Sequence, residues 1–251
     1  MVCIVKTYET PVLSNPVLIE GLPGIGFVAN ISALHLIQEL KATLFAEVRS
    51  SSFQDFAVTA EKGQTSFPIN ELYYHKGRDS HERDLIILYG NTQALTTFGQ
   101  YELCGRILDV VEGLGCNDIV TLGGLRVDRK VDVPGLYCAV SDSAMVDEVL
   151  GRGAKIIGGQ IFGLAGLLVG LGKLRDMKGL CLLAETPGYY PDAKAARAVL
   201  DLVCELLGLR IDLERLDVAA KATRDILESF GVGSTYSVGE RKRRESRHWL
   251  I

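Results

Sequence analysis

The chain has 251 residues, 47% of them hydrophobic, and 27 basic against 31 acidic side chains, for a net charge of −4. That length and apolar content suit one α/β domain with a sizeable core, and a pI of about 5.7 argues against a nucleic-acid partner. The six cysteines (Cys3, Cys104, Cys116, Cys138, Cys181, Cys204) include no C-x-x-C pair. They read as reduced core thiols of a cytoplasmic protein, with no disulfide frame and no metal site.

Residues 1–6 carry one basic side chain and no long apolar run, so no signal peptide is expected. Val2 to Tyr8 reads as an edge strand. Val17-Leu18-Ile19-Glu20 reads as a short buried strand, followed by a turn built on Gly21, Pro23, Gly24 and Gly26. A helix is expected from Phe27 to Leu40, with Val28, Ile31, Leu34 and Ile37 on one face, completing a first βα unit. The turn spells G-x-x-G-x-G, which is not the dinucleotide fingerprint, and no Lys-Ser/Thr follows it as in a P-loop. Two readings stand. One is a structural turn or subunit contact, and the other a phosphate cradle at the helix N-terminus.

Ala42 to Val48 is strand-like. Phe56 to Ala60 and Phe67 to Tyr74 read as short strands joined by a turn over 61–64, forming an antiparallel patch beside the main sheet. His75 and His81 flank a charged loop and read as solvated residues, not metal ligands. Asp84 to Tyr89, Asp118 to Leu122, Leu136 to Val140 and Leu180 to Glu185 are expected as further parallel strands. Helices are expected after Thr96, from Pro191 to Leu207 with the proline near its first position, and from an Asp212 cap to Phe230. Ile156 to Leu174 is apolar enough to test as a membrane span. Its six glycines, Gln160 and the charges that follow favour a buried, glycine-lined helix. The expected fold is α/β, a mostly parallel central sheet with helices on both faces, in one domain over 1–230. A flexible basic tail over 231–251 follows.

Ligands of such sheets sit beyond the carboxyl ends of the strands. The ends expected here are Glu20-Gly21, Gly90-Asn91, Gly123-Gly124, Ser141-Asp142 and Glu185-Thr186. Glu20 and Glu185 can form a carboxylate pair, Asn91, Gln93 and Ser141 can orient a substrate, and the N–H groups of Gly24 and Gly123 can take an anion. That describes a pocket for a nucleoside-like or other small anionic ligand. The competing reading is that these groups cap backbone. No nucleophile and base are identifiable. The four histidines (His35, His75, His81, His248) lie away from the strand ends, His35 being expected to pack within the first helix, and no G-x-S-x-G elbow is present. No catalytic residue, metal ligand or cofactor is assigned.

The tail runs through a Gly/Ser-rich stretch and the basic run Arg241-Lys242-Arg243-Arg244 to Trp249, Leu250 and Ile251. The chain's one Trp and two aliphatics on a polar tail call for a pocket, either on the protein's own body or neighbouring subunit, or on a partner.

Four stretches carry a resemblance: Leu18 to Gly26, Val48 to Val58, Gly158 to Gly166, and above all Cys181 to Ala196 with its Glu-Thr-Pro-Gly-Tyr-Tyr-Pro-Asp core. Together they resemble the archaeal branch of the proteasome assembly chaperone family, second-chaperone type, some members of which carry the label ATP-grasp superfamily. The resemblance runs from about Pro16 to Leu207. It implies a nucleoside-phosphorylase-like α/β sandwich, homo-oligomers, proteasome α-subunits as partners, and a chaperone or adaptor role in place of catalysis. The residues quoted do not make an ATP site. Family members that bind the proteasome often end in hydrophobic–Tyr–any residue. Here the terminal residues are Trp249, Leu250 and Ile251, with Leu250 at the tyrosine position.

Overall fold

A computed structural model describes residues 3–59 and 63–229. Among them, nine strands form one sheet: β1 (Cys3–Thr7), β2 (Val17–Gly21), β3 (Thr43–Ser50), β6 (Asn70–His75), β7 (Leu85–Gly90), β8 (Asp118–Arg126), β9 (Leu136–Val140), β10 (Lys155–Ile156) and β11 (Lys178–Thr186). Their order is β1-β3-β6-β7-β2-β8-β11-β9-β10. Two further strands, β4 (Val58–Thr59) and β5 (Thr65–Ser66), pair only with each other. The strands at the centre are buried on both faces, which is why β2 and β7 are nearly unbroken aliphatic runs.

The expectation of a mostly parallel sheet is corrected: the sheet is mixed. β7, β2, β8 and β11 run parallel. β1, β3, β6 and β7 are joined by antiparallel ladders, and β9 runs antiparallel to β11. The expected side patch is also corrected. Its second strand, as β6, lies inside the main sheet between β3 and β7, and only β4 and β5 form a small separate pair. Because β9 is reversed, Ser141-Asp142 sits at the opposite edge from the other expected strand ends. Ser141 there exchanges hydrogen bonds with Gly179, at the start of β11.

The helices cover both faces. α1 (Val28–Leu40), α5 (Ala193–Leu207) and the start of α6 (Glu214–Ser229) pack on one side around Ile19, Ile87, Leu182 and Val199, with Val149 of α3 (Val146–Leu150). α2 (Thr97–Glu112) and α4 (Leu164–Lys173) pack on the other, around Leu18, Leu88, Ile107 and Leu168. The buried face of α1 is Val28, Ala29, Ser32, Ala33, Leu36 and Leu40; of the expected face, Val28 is buried, Ile31 and Ile37 pack partly buried against the same core, and Leu34 is exposed. Small residues face the sheet because β2 approaches the helix too closely for larger ones. His35 is buried as expected, its Nε2 2.6 Å from the Asp212 carbonyl. The glycine-rich segment gives a helix only over α4, so 157–163 is a loop ahead of it. None of the described helices is long and apolar enough to cross a membrane. Pro191 precedes α5, whose cap is Asp192. His75 is not a solvated loop residue. It lies in β6, 3.0 Å from a buried Glu82 carboxylate that Arg78 also holds. All six cysteines are free, five of them buried.

Candidate functional site

The carboxyl ends of β2, β7, β8 and β11 share one edge of the sheet. The loop after β2 forms a single 3-10 turn, Ile25–Phe27, before α1. Gly26 has φ +62, a conformation that favours glycine, and a Cβ there would lie 2.8 Å from Thr186 Oγ1. Phe27 is also left-handed, with φ +51. The loop is clamped from the end of β11. The Asp192 N–H donates to the Gly26 carbonyl (2.8 Å). The Asp192 carboxylate accepts from Thr186 Oγ1 (2.7 Å) and from the Ala195 N–H (3.0 Å), capping α5. The Gly188 N–H closes the turn onto Thr186 Oγ1 (3.2 Å).

A third loop joins through Gln93. Its amide donates to the Pro23 carbonyl (2.7 Å), and its oxygen accepts from the Leu164 N–H at the start of α4 (3.2 Å). The Gln100 side chain donates to the same oxygen (3.3 Å). Segment 51–57 joins through the Leu95 N–H, which donates to the Ser52 carbonyl (2.9 Å). Thus the stretches 18–26, 48–58, 158–166 and 181–196, separate in sequence, are neighbours along this edge.

The individual site candidates fare differently. Glu20 is buried in the α2/α4 face of β2, where Oε1 accepts from the Leu22 N–H (3.0 Å). Glu185 accepts from Arg129, from the Gly135 N–H (3.1 Å) and from the Tyr137 hydroxyl (3.2 Å). Burial alone would raise the Glu185 pKa, but these donors outweigh it and hold the carboxyl below its ordinary range. Glu20 is level with Thr121 and Thr121 with Cys181, so Glu185 lies four residues further along, ~13 Å by strand rise. The two carboxylates are not a pair. Asn91 is turned to the backbone of Ile69, accepting from its N–H at 2.9 Å and donating its own N–H to the carbonyl at 3.2 Å. Gly123 is inside the β8–β11 ladder, not in a loop. Gly24 is exposed, and its carbonyl accepts from the Phe27 N–H (3.0 Å). Trp249, Leu250 and Ile251 lie outside the described residues.

The loops after β2, β7 and β11 and before α4 offer apolar side chains to solvent, while the loop after β8 adds the exposed charges of Arg126, Asp128, Lys130 and Asp132. Ile25 and Phe27 stand out after β2, Leu95 and Phe98 after β7, Phe162 before α4, and Tyr189 after β11. Phe162 is 82% exposed. The loops over 21–27, 91–98 and 157–163 contain no charged side chain. Arg126 donates to the Tyr189 hydroxyl (2.8 Å) and sits over its ring, fixing that aromatic in place. Further along, an open groove of about 680 Å³ runs beside β1 and β3, between Ile4, Phe53, Phe56 and Phe67, with Arg49 and Asp55 at its rim. Sequence reasoning treated the strand ends as a polar pocket and missed this rim. Its signal was present in three uncharged loops that each carry a phenylalanine, two of them also rich in glycine. The candidate polar groups are bonded internally while these aromatics are turned outward.

The PAC2 family model matches residues 18–230. The solved structure of Pyrococcus furiosus PbaB, described as an archaeal proteasome activator, is similar with a TM-score of 0.87 and 41% identity, over 91% of this chain and 98% of that one. Pyrococcus furiosus PbaA, described as an archaeal homologue of proteasome-assembly chaperone, gives 0.75 and 25%, over 92% of each. An uncharacterised protein of Methanocaldococcus jannaschii is 33% identical over 89% of this chain and 86% of its own length.

Proposed function

This chain belongs to the PAC2 family, and from that premise we propose that it is a non-enzymatic, chaperone-like docking protein of the 20S proteasome. It binds α-subunits or their assembly intermediates, works as a homo-oligomer in the cytoplasm, and uses its C-terminal residues Trp249, Leu250 and Ile251 as one contact. The observation that carries this reading is the carboxyl edge. Glu20, Asn91, Gln93 and Glu185 are each engaged by the protein itself, while Phe27, Phe98, Phe162 and Tyr189 face outward. A surface of that kind suits protein association, in which aromatics are enriched and charges depleted at the core of the contact. The likeness to PbaB and PbaA supports the proteasome as the partner.

Removal of residues 248–251 is expected to weaken capture of recombinant α-subunits at least tenfold while leaving the melting temperature unchanged. Pull-down read by native mass spectrometry measures the first, and calorimetry the second. Equal capture by the full and shortened chains would remove the tail from the mechanism. Stimulation of peptide hydrolysis by assembled 20S particles, measured alongside, separates an activator from an assembly factor.

A further inference from the structure

A row of three polar side chains crosses the middle of the sheet, apart from the rim. Glu20 on β2 is level with Thr121 on β8, which is level with Cys181 on β11. All three are buried and point to the same face, under α2 and α4. Glu20 Oε2 and Thr121 Oγ1 have no hydrogen-bond partner of ordinary geometry, although both atoms are fully enclosed. Two orphaned oxygens side by side are unusual, because an enclosed polar atom left unpaired keeps the cost of its lost hydration.

Their chemistry suggests how they are satisfied. Glu20 Oε1 already accepts from the backbone N–H of Leu22, so it acts as the acceptor oxygen, and the Leu122 N–H also faces the carboxyl group. On its other side, Leu88 of β7 is apolar. α4 contributes Leu164 and Leu168. The titratable groups that face Glu20 are the thiols of Cys104 from α2 and Cys181 from β11. Arg175, the cation nearest Cys104, is held by Asp109 and Glu112. A carboxylate in this setting would be a buried charge without a counter-ion, which proteins avoid by neutralising the group.

We propose that Glu20 is carried in the folded protein as a neutral carboxylic acid, with Oε2–H donated to Thr121 Oγ1 and the Thr121 hydroxyl passed on to the Cys181 sulfur. The row is then a proton-dependent latch across β2, β8 and β11. It also anchors the glycine loop, because the same carboxyl group holds the Leu22 N–H. Loss of the proton to solvent leaves an unpaired charge in the sheet and loosens the loop.

Burial pushes the Glu20 pKa up to about 7 from 4.5. A group whose folded value is raised contributes stability that is complete below pH 4.5 and is lost as pH rises through about 7. The latch therefore raises the unfolding equilibrium constant about a hundredfold between pH 5 and pH 8.5 in the native chain, relative to Glu20→Gln. Gln keeps the Leu22 contact and donates to Thr121 at every pH. Denaturant unfolding of both chains across this range is the test. A matching pH slope in the two chains overturns the proposal. Infrared spectra of the unmutated chain with carbon-13 glutamate provide a second readout that needs no variant. A protonated carboxylic-acid band at pH 6 that disappears by pH 9 supports the latch, and its absence at pH 6 refutes it.

Discussion

Replacing Gly21 by Val is expected to destabilise the fold by ~3 kcal/mol or more, lowering the melting temperature by about 10 °C. Gly21 ends β2 under α1, and a Cβ there would lie 2.2 Å from the Ala33 Cβ and 2.7 Å from the Ala29 carbonyl oxygen. Neither can move cheaply. Ala29 O belongs to the α1 backbone, and α1 is packed against α5. The strand and helix must therefore separate, which exposes Ile19, Ala33 and Leu36 together. Thermal unfolding followed by circular dichroism measures the effect. A loss under 1 kcal/mol would mean that the strand–helix crossing is looser than the geometry indicates.

Asp192→Ala is expected to cost about 2–4 kcal/mol, combining loss of a helix cap with an unpaired buried hydroxyl. Asp192 accepts from the Ala195 N–H and from Thr186 Oγ1, and it is buried. Thr186 also receives the Gly188 N–H, so the whole turn from 186 to 192 loses its tie. Asp192→Asn keeps the cap oxygen and is expected to recover about half of the loss. Hydrogen exchange should show faster opening in two places: the first turn of α5, and the Gly26 region that the Asp192 backbone holds. Exchange confined to α5 would separate the cap from the clamp.

Much of the α/β character was legible because buried central strands are continuous aliphatic runs, and β2, β7 and β11 stand out as such. Strand direction was not. Leu136-Tyr-Cys-Ala-Val140 reads the same whether it runs with β11 or against it, so β9 and the position of Ser141 were misplaced. β6 was misplaced for a related reason. Short strands with alternating burial suit a small patch as well as a sheet interior, and long-range pairing decides between them. The face of α1 was placed only in part, because the large residues marked it, whereas close approach to β2 selected Ala29, Ser32 and Ala33 and left Leu34 exposed. Glu20 was visible as a carboxyl in an apolar run. Its distance from Glu185 depends on register across two strands, which no local pattern encodes. The motifs at 18–26 and 181–196 were legible as a family resemblance. Their meeting through Asp192, Gly26 and Thr186 gives that resemblance a physical reason, since each motif needs the other to hold its turn.

The proposed docking on the proteasome has a direct test. The direct measurement is native mass spectrometry of the full chain mixed with recombinant proteasome α-subunits, and separately with assembled 20S particles, from the same source. Stoichiometric complexes with at least one of the two are the expected result. Absence of complex with both, at concentrations where the chain is folded, would contradict the claim and leave a PAC2 fold serving a different partner.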